Sequence, residues 1–261
     1  MLELSPSEFD KAIPIFNKIE ASIPIVYAVL ERNSPGRVFV DDAAGAAVAL
    51  LYAEGAFFYI GGDEHNATLR QALVPLLFHH ILPELEEKEL VLFSFSDAWR
   101  HTLDELLSEQ GAIQISRKVF QFNQEMFLAS RDWKPYLPEG FTMRAIDAQL
   151  AEQYPDYQAI VDPASKQLGV CLMHGDEIAC ECSAVFVGRG EAEIDIHTRE
   201  AYQGRGYATL TGSAFIETCI ARGLKPNWSC WPERHASVAL AKRLGFEELP
   251  DVPAHLWAED M

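Results

Sequence analysis

Four ionisable residues spaced two apart, Glu191, Glu193, Asp195 and His197, alternate with Ala192, Ile194, Ile196 and Thr198. On a strand this spacing puts the ionisable set on one face and a mostly apolar set on the other. Carboxylates beside an imidazole suit proton transfer, because a free imidazole titrates near neutrality. In a central strand of a covered sheet such a face is costly unless it lines a wet cleft. The stretch therefore reads in two ways: a base acting directly or through water, or a surface strand with solvated acids. Glu193, Asp195 and His197 are the candidate proton-transfer residues.

Directly beyond lies Gln203-Gly204-Arg205-Gly206-Tyr207-Ala208, a glycine-punctuated entry into a helix. Two glycines allow close backbone approach, and Arg205 adds a counter-charge. The first N–H groups of a helix have no internal partners, and they share the positive end of the helix dipole. Strand, turn and helix start together predict an anion site, with phosphate its usual occupant.

The elements that must hold these residues repeat along the chain. In the first half, Ser5-Pro6-Ser7-Glu8 predicts a capped helix to about residue 19. A helical segment 23–32 follows, then strands 37–40, 46–53 and 56–60, the last two forming a hairpin. Helix 66–82 carries Leu69, Leu73, Leu76, Leu77 and His80 at helical spacing. Strand 89–95, a helix capped by Asp97 and strand 113–122 close this half. The second half gives strand 141–146, a helical region 148–160 broken at Pro155, hairpin 167–174/178–187 and strand 192–198. Helix 204–222, strand 225–230, helix 235–244 and a strand from Phe246 complete it. The order predicts a mixed α/β (α+β) chain of two similarly built units, 1–130 and 131–261, divided within 131–140 (RDWKPYLPEG). The tail 250–261, with Leu256 and Trp257, is expected to pack one apolar patch on the body.

The units differ where chemistry would sit. The first has Gly61-Gly62-Asp63-Glu64-His65-Asn66, whose acids would repel a phosphate, so it is expected to be scaffold. Composition sets the class: 49% hydrophobic and 23% charged residues describe an ordinary globular protein. No run approaches the roughly 18 apolar residues of a membrane span, and the start lacks the pattern of a secretion signal, so a cytoplasmic location is expected. An odd count of five cysteines fits reduced thiols. Cys180 and Cys182 share a strand face but lack further ligands at zinc spacing, and Cys230 ends a strand flanked by Trp228 and Trp231; no metal is expected. A formal net charge of −18, about −10 in the first half and −8 in the second, disfavours nucleic acid and favours cationic ligands, amines included, besides serving solubility.

Q-x-x-G-x-A opening a helix after a strand, followed by strand, helix and Leu244-Gly245-Phe246, resembles the GNAT superfamily of acyl-CoA-dependent N-acetyltransferases. The resemblance covers about 141–246, and element order extends it to a two-unit chain with a degenerate first half, each unit a twisted mixed sheet flanked by helices. It implies acetyl-CoA as cosubstrate. The backbone amides of Gly204, Arg205, Gly206, Tyr207 and Ala208 would hold its pyrophosphate, with Gln203 at the first motif position. The backbone of Ile196, His197 and Thr198 would pair with the pantetheine arm. Arg234 stands where an asparagine often touches CoA, and Ser237 would touch CoA, donate a proton, or cap and pack its helix. Ala241 replaces the tyrosine that commonly protonates the leaving thiolate. Tyr154 and Tyr157 lie on the segment that often shapes the acceptor pocket.

Aminolysis of a thioester needs a neutral amine, a stabilised oxyanion and a protonated leaving sulfur. The expected activity is direct acetyl transfer to a primary amine of a small cationic molecule. Two alternatives stand beside it, a non-catalytic acyl-CoA sensor and an acetyltransferase for protein N-termini or lysines. The sequence leaves the acceptor and the oligomeric state open.

Overall fold

The computed structural model describes residues 1–129 and 134–261, so Arg131 to Trp133 of the expected border lie outside the described residues. Two compact units emerge: Met1–Arg117 with Asp251–Met261, and Lys118–Pro250. They part inside the strand Ile113–Phe122 rather than at 131–140, and the tail belongs with the first unit.

In the first unit the strands run Leu2–Glu3, Gly36–Val40, Val48–Ala53, Phe57–Gly62, Glu89–Phe93, Val252–Ala258 and then 113–117. Only Phe57–Gly62 and Glu89–Phe93 pair in parallel. The tail is more than the apolar patch expected of it. It is a full strand, antiparallel to both neighbours, with Trp257 edge-on to Phe78 at 5.1 Å. The helix expected over 66–82 is α-helical over Ala67–Pro75 and then widens to a π-turn over Leu76–Ile81. Leu69, Leu73, Leu77 and Ile81, each four apart, are fully buried. His79 and His80 are exposed, so His80 leaves the apolar face on which its helical spacing placed it. An inserted residue per turn rotates everything after Pro75.

The second unit runs Phe141–Ala145, Leu168–His174, Glu177–Gly188, Glu191–Thr198, Lys225–Cys230, residues 118–122 and Phe246–Glu248. Every adjacent pair is antiparallel except Glu191–Thr198 with Lys225–Cys230. One sheet face packs on the helix Tyr207–Ala221, where Phe215, Ile216 and Cys219 meet Val170, Cys182 and Ile194. The other is covered around Leu150, Ala151 and Tyr157, which meet Cys171 and Met173. Helix Tyr207–Ala221 comes so close to the end of His235–Arg243 that a Cβ on Gly212 would lie 2.7 Å from Leu244 Cδ1. The architecture is the expected mixed α/β fold. Among the described residues no helix is long and apolar enough to cross a membrane.

Candidate active site

Strand Glu191–Thr198 pairs with Lys225–Cys230 over only three residues, ending at Glu193 opposite Asn227. Beyond that point Lys225–Cys230 turns to pair with 118–120, through Trp228, Ser229 and Cys230. Residues Ile194 to Thr198 therefore have an edge with no paired strand among the described residues. On the opposite edge they pair with Glu177–Gly188, through a bulge after Glu193 that leaves Val185 unmatched. Bulges raise local twist and re-aim side chains. The sheet thus opens into a wedge at Glu193.

The open edge leads into the glycine turn. Helix formation starts at Tyr207, three residues later than expected, because Gly204 (φ +73°) and Gly206 (φ +82°) are left-handed, a conformation that side chains resist. A Cβ at either glycine would meet nothing within 4 Å, so the space before the helix start is open. Arg205 is exposed there. The Tyr207 ring is turned away from that space, buried against Phe141 at 4.8 Å between ring centroids, which leaves its amide as the group at the helix start. Ala208 lies in the first turn, where amides lack intrahelical partners. Gln203 instead ties the turn to the strand, donating from Nε2 to the Thr198 carbonyl at 3.0 Å. That bond takes up one of the backbone acceptors expected to meet the pantetheine arm; the remaining edge at Ile196 and His197 stays open.

The ionisable face is not uniform. Glu193 is only 4% exposed, whereas Asp195 and His197 are exposed. The Glu193 carboxylate accepts from Asn227 Nδ2 at Oε2 and from Ser229 Oγ at Oε1, the latter at 2.5 Å. Both donors belong to the partner strand at the mouth of the wedge. His197 Nδ1 lies 3.9 Å from Oε1 of Glu181, its cross-strand neighbour, whose Oε2 accepts from the Tyr157 hydroxyl. Burial pushes the Glu181 carboxyl above its ordinary range, with His197 opposing and Asp195 adding to the shift. Neither reading of the strand suffices alone, for one acid is buried at the wedge and the other faces water.

Ser237 is not brought to Glu193. Its Oγ accepts from Trp228 Nε1 at 3.1 Å, and Trp228 alternates with Asn227 and Ser229, so Ser237 lies on the far side of that strand. Arg234 is the exposed residue before helix His235–Arg243, positioned by its backbone carbonyl, which accepts from Ser237 N. Ala241 is fully buried in the core, where no hydroxyl stands. The five cysteines are buried thiols outside any disulfide. Burial drives the thiols of Cys171 and Cys219 up to about 11 and about 12, which silences them as nucleophiles. Among the described residues no group of side chains could hold a metal ion.

Three functional candidates escaped the sequence reading: Asn227, Ser229 and Glu181. Asn227 and Ser229 alternate with Trp228 and Cys230, and Glu181 stands between two cysteines. Period two was thus present in both neighbouring strands, but only register shows that these polar faces meet Glu193 and His197.

A family model described as GNAT acetyltransferase matches residues 13–252. The uncharacterized N-acetyltransferase YdfB of Bacillus subtilis (strain 168) is 28% identical over 235 residues, 87% of each chain. The crystal structure of a GCN5-related N-acetyltransferase-like protein from Streptococcus suis 89/1591 superposes with a TM-score of 0.70 at 22% identity, covering 96% of this chain and 98% of that one. A tandem GNAT protein from the clavulanic acid biosynthesis pathway gives 0.65 at 10% identity, over 98% and 97%. At such identities the two structural likenesses speak for the fold alone. The wedge, the glycine turn and a family match spanning most of the sequence converge: the chain belongs to the GNAT acetyltransferase family and is an acyltransferase.

Proposed function

We propose that this chain transfers the acetyl group of acetyl-CoA directly to a primary amine of a small cationic molecule, both substrates being bound together. The observation that carries the reading is the buried Glu193 carboxylate at the point where the central strands part. The residues present fit acetyl-CoA: left-handed glycines facing open space, first-turn amides of Tyr207 and Ala208, and the exposed Arg205 suit a pyrophosphate. The open edge at Ile196 and His197 offers backbone groups to an extended arm. Bound acetyl-CoA supplies the activated acyl group. Arg234 and Ser237, at the start of the last helix, are further candidates to contact it.

Glu193 takes the proton from the attacking amine, directly or through water, its orientation fixed by Asn227 and Ser229. Asp195, with Glu181 and His197 beside it, gives the acceptor side a negative lining, which supports a cationic substrate. The second unit, Lys118–Pro250, supplies the acetyl-CoA site, and the first unit serves as scaffold in a cytoplasmic enzyme. Support for that scaffold role comes from Asn66, which caps its own helix by accepting from Leu69 N and donates to Asp41, beside the acidic turn.

Calorimetry with acetyl-CoA and with CoA tests the cosubstrate, and thiol release over a panel of primary amines tests turnover. Gly206→Glu puts a carboxylate before the helix start and is expected to abolish CoA binding. Retained binding in that variant places the pyrophosphate elsewhere. Binding without thiol release across the panel favours an acyl-CoA sensor, the reading to which the burial of Ala241 lends weight.

A further inference from the structure

Acyl transfer from a thioester ends with a sulfur that must be protonated, and the fully buried Ala241 offers no hydroxyl for this. We propose that Ser229 delivers that proton, drawing it from Glu193, so that base and acid form one relay across the mouth of the wedge. The proposal rests on the acetyl-transfer reading above.

Four observations place the relay. Glu193 is the last residue of its strand paired to Lys225–Cys230, and Ser229 stands two residues beyond Asn227, its partner. Ser229 shares a face with Asn227 by strand alternation, and both reach the same carboxylate. The 2.5 Å bond from Ser229 Oγ to Glu193 Oε1 therefore spans the two strands where they separate. The backbone of Ser229 is fixed by pairing opposite Val119, and Asn227 donates to the second carboxylate oxygen, Oε2, while Ser229 donates to Oε1.

The hydroxyls of Ser237, Tyr157 and Tyr202 are engaged elsewhere. Ser237 sits on the opposite face through Trp228. The Tyr157 hydroxyl donates to Glu181, and that of Tyr202 donates to Glu177 at 2.9 Å, which raises the Tyr202 phenol above its ordinary range. Cys230 is buried.

The proton count closes. The neutral amine's lone pair forms the N–C bond, and the carbonyl π pair moves to oxygen. Glu193 accepts the proton of the resulting ammonium. As the oxygen pair re-forms the carbonyl, the C–S bond breaks with its electrons on sulfur. Ser229 gives its hydroxyl proton to that sulfur and receives the one held by Glu193. Nitrogen has lost one proton, sulfur has gained one, and both side chains are restored without an added reactant.

The test uses the full chain, acetyl-CoA and the best amine of the panel. Ser229→Ala is expected to lower kcat by about 10²-fold, the lower range for a positioned proton-transfer group, with the KM for acetyl-CoA little changed and the basic limb of the pH profile altered. Ser229→Thr, which keeps the hydroxyl, is expected to recover most of kcat. A readout independent of turnover is the carboxyl titration of Glu193 by 13C NMR in the free protein. Ser229→Ala should raise its pKa, because a hydrogen bond to the charged form is lost. If Ser229→Ala keeps both kcat and the Glu193 titration of the parent, the relay is overturned. Should that variant fail to fold, Ser229→Cys decides: a thiol donor, with its ordinary pKa of about 8.5, should move the basic limb downward, and an unmoved limb overturns the relay. Thiol release lost in Glu193→Gln but intact in Ser229→Ala removes the relay alone. No thiol release by the parent with any amine removes the acetyl-transfer reading and the relay with it.

Discussion

A buried carboxylate is costly unless hydrogen bonds reach its oxygens, and Glu193, 4% exposed, accepts from Asn227 and Ser229. Glu193→Gln keeps the volume but replaces an acceptor-only group with an amide whose NH2 must face Asn227 Nδ2 or Ser229. We expect kcat to fall by about 10²- to 10⁴-fold with acetyl-CoA binding retained. Steady-state thiol release with calorimetry on the same variant checks this; unchanged turnover removes Glu193 as base. Glu181 gives a different signature. Burial raises its carboxyl above the ordinary value, so the folded state holds the proton more tightly than the unfolded chain. Below the unfolded pKa both states are protonated and the group is neutral to stability; as pH rises through the folded pKa, stability is lost. Glu181→Gln should therefore raise the thermal midpoint relative to the parent at pH 7 and lose that advantage near pH 4, read by calorimetric melts. Glu193, Asp195 and His197 were legible as a face because period two needs only the strand itself. Which of them is buried was not, for that depends on Asn227 and Ser229, brought in from a strand beyond a whole helix.

At the scale of elements, helix His235–Arg243 packs Ala241 wholly into the core, and Gly212 of the neighbouring helix admits Leu244 beside it. A tyrosine there, the acid that the family resemblance implied, would need space the core lacks. Ala241→Tyr is expected to cost about 1–3 kcal/mol of stability, the usual range for overpacking, and to leave turnover no higher than the parent's. Urea denaturation with the thiol assay tests both; a stable variant with raised kcat would show that the helix can present a hydroxyl to the wedge. Local chemistry made most elements legible here. Helix Tyr207–Ala221 starts at Tyr207 rather than 204 because the two glycines that signal its entry are left-handed and cannot belong to it. The tail read as a loose patch because Val252–Ala258 draws both its strand partners from segments far away in sequence.

Over the whole molecule, the repeated element order led to a reading of two similarly built units, since each half carries its own periods and turns. Their border was not legible, for one continuous strand, Ile113–Phe122, serves both. Charge acts at this scale as well. A formal net charge of −18 makes the protein a like charge to a phosphate-bearing substrate, while the attraction of Arg205 and the helix start is confined to the turn. The screening length is about 10 Å at 0.1 M salt, so added salt first removes the repulsion met on approach. Once CoA is seated, salt weakens the short-range contacts too, though less, because those charges lie within a screening length of one another. The association rate of CoA, followed by stopped-flow fluorescence, should therefore rise as salt increases from about 0.02 to about 0.2 M, with a smaller rise in the dissociation rate. An association rate that falls steeply over that range would mean that the positive field at the turn reaches beyond it and outweighs the net charge, leaving the acidity of the chain without influence on substrate capture.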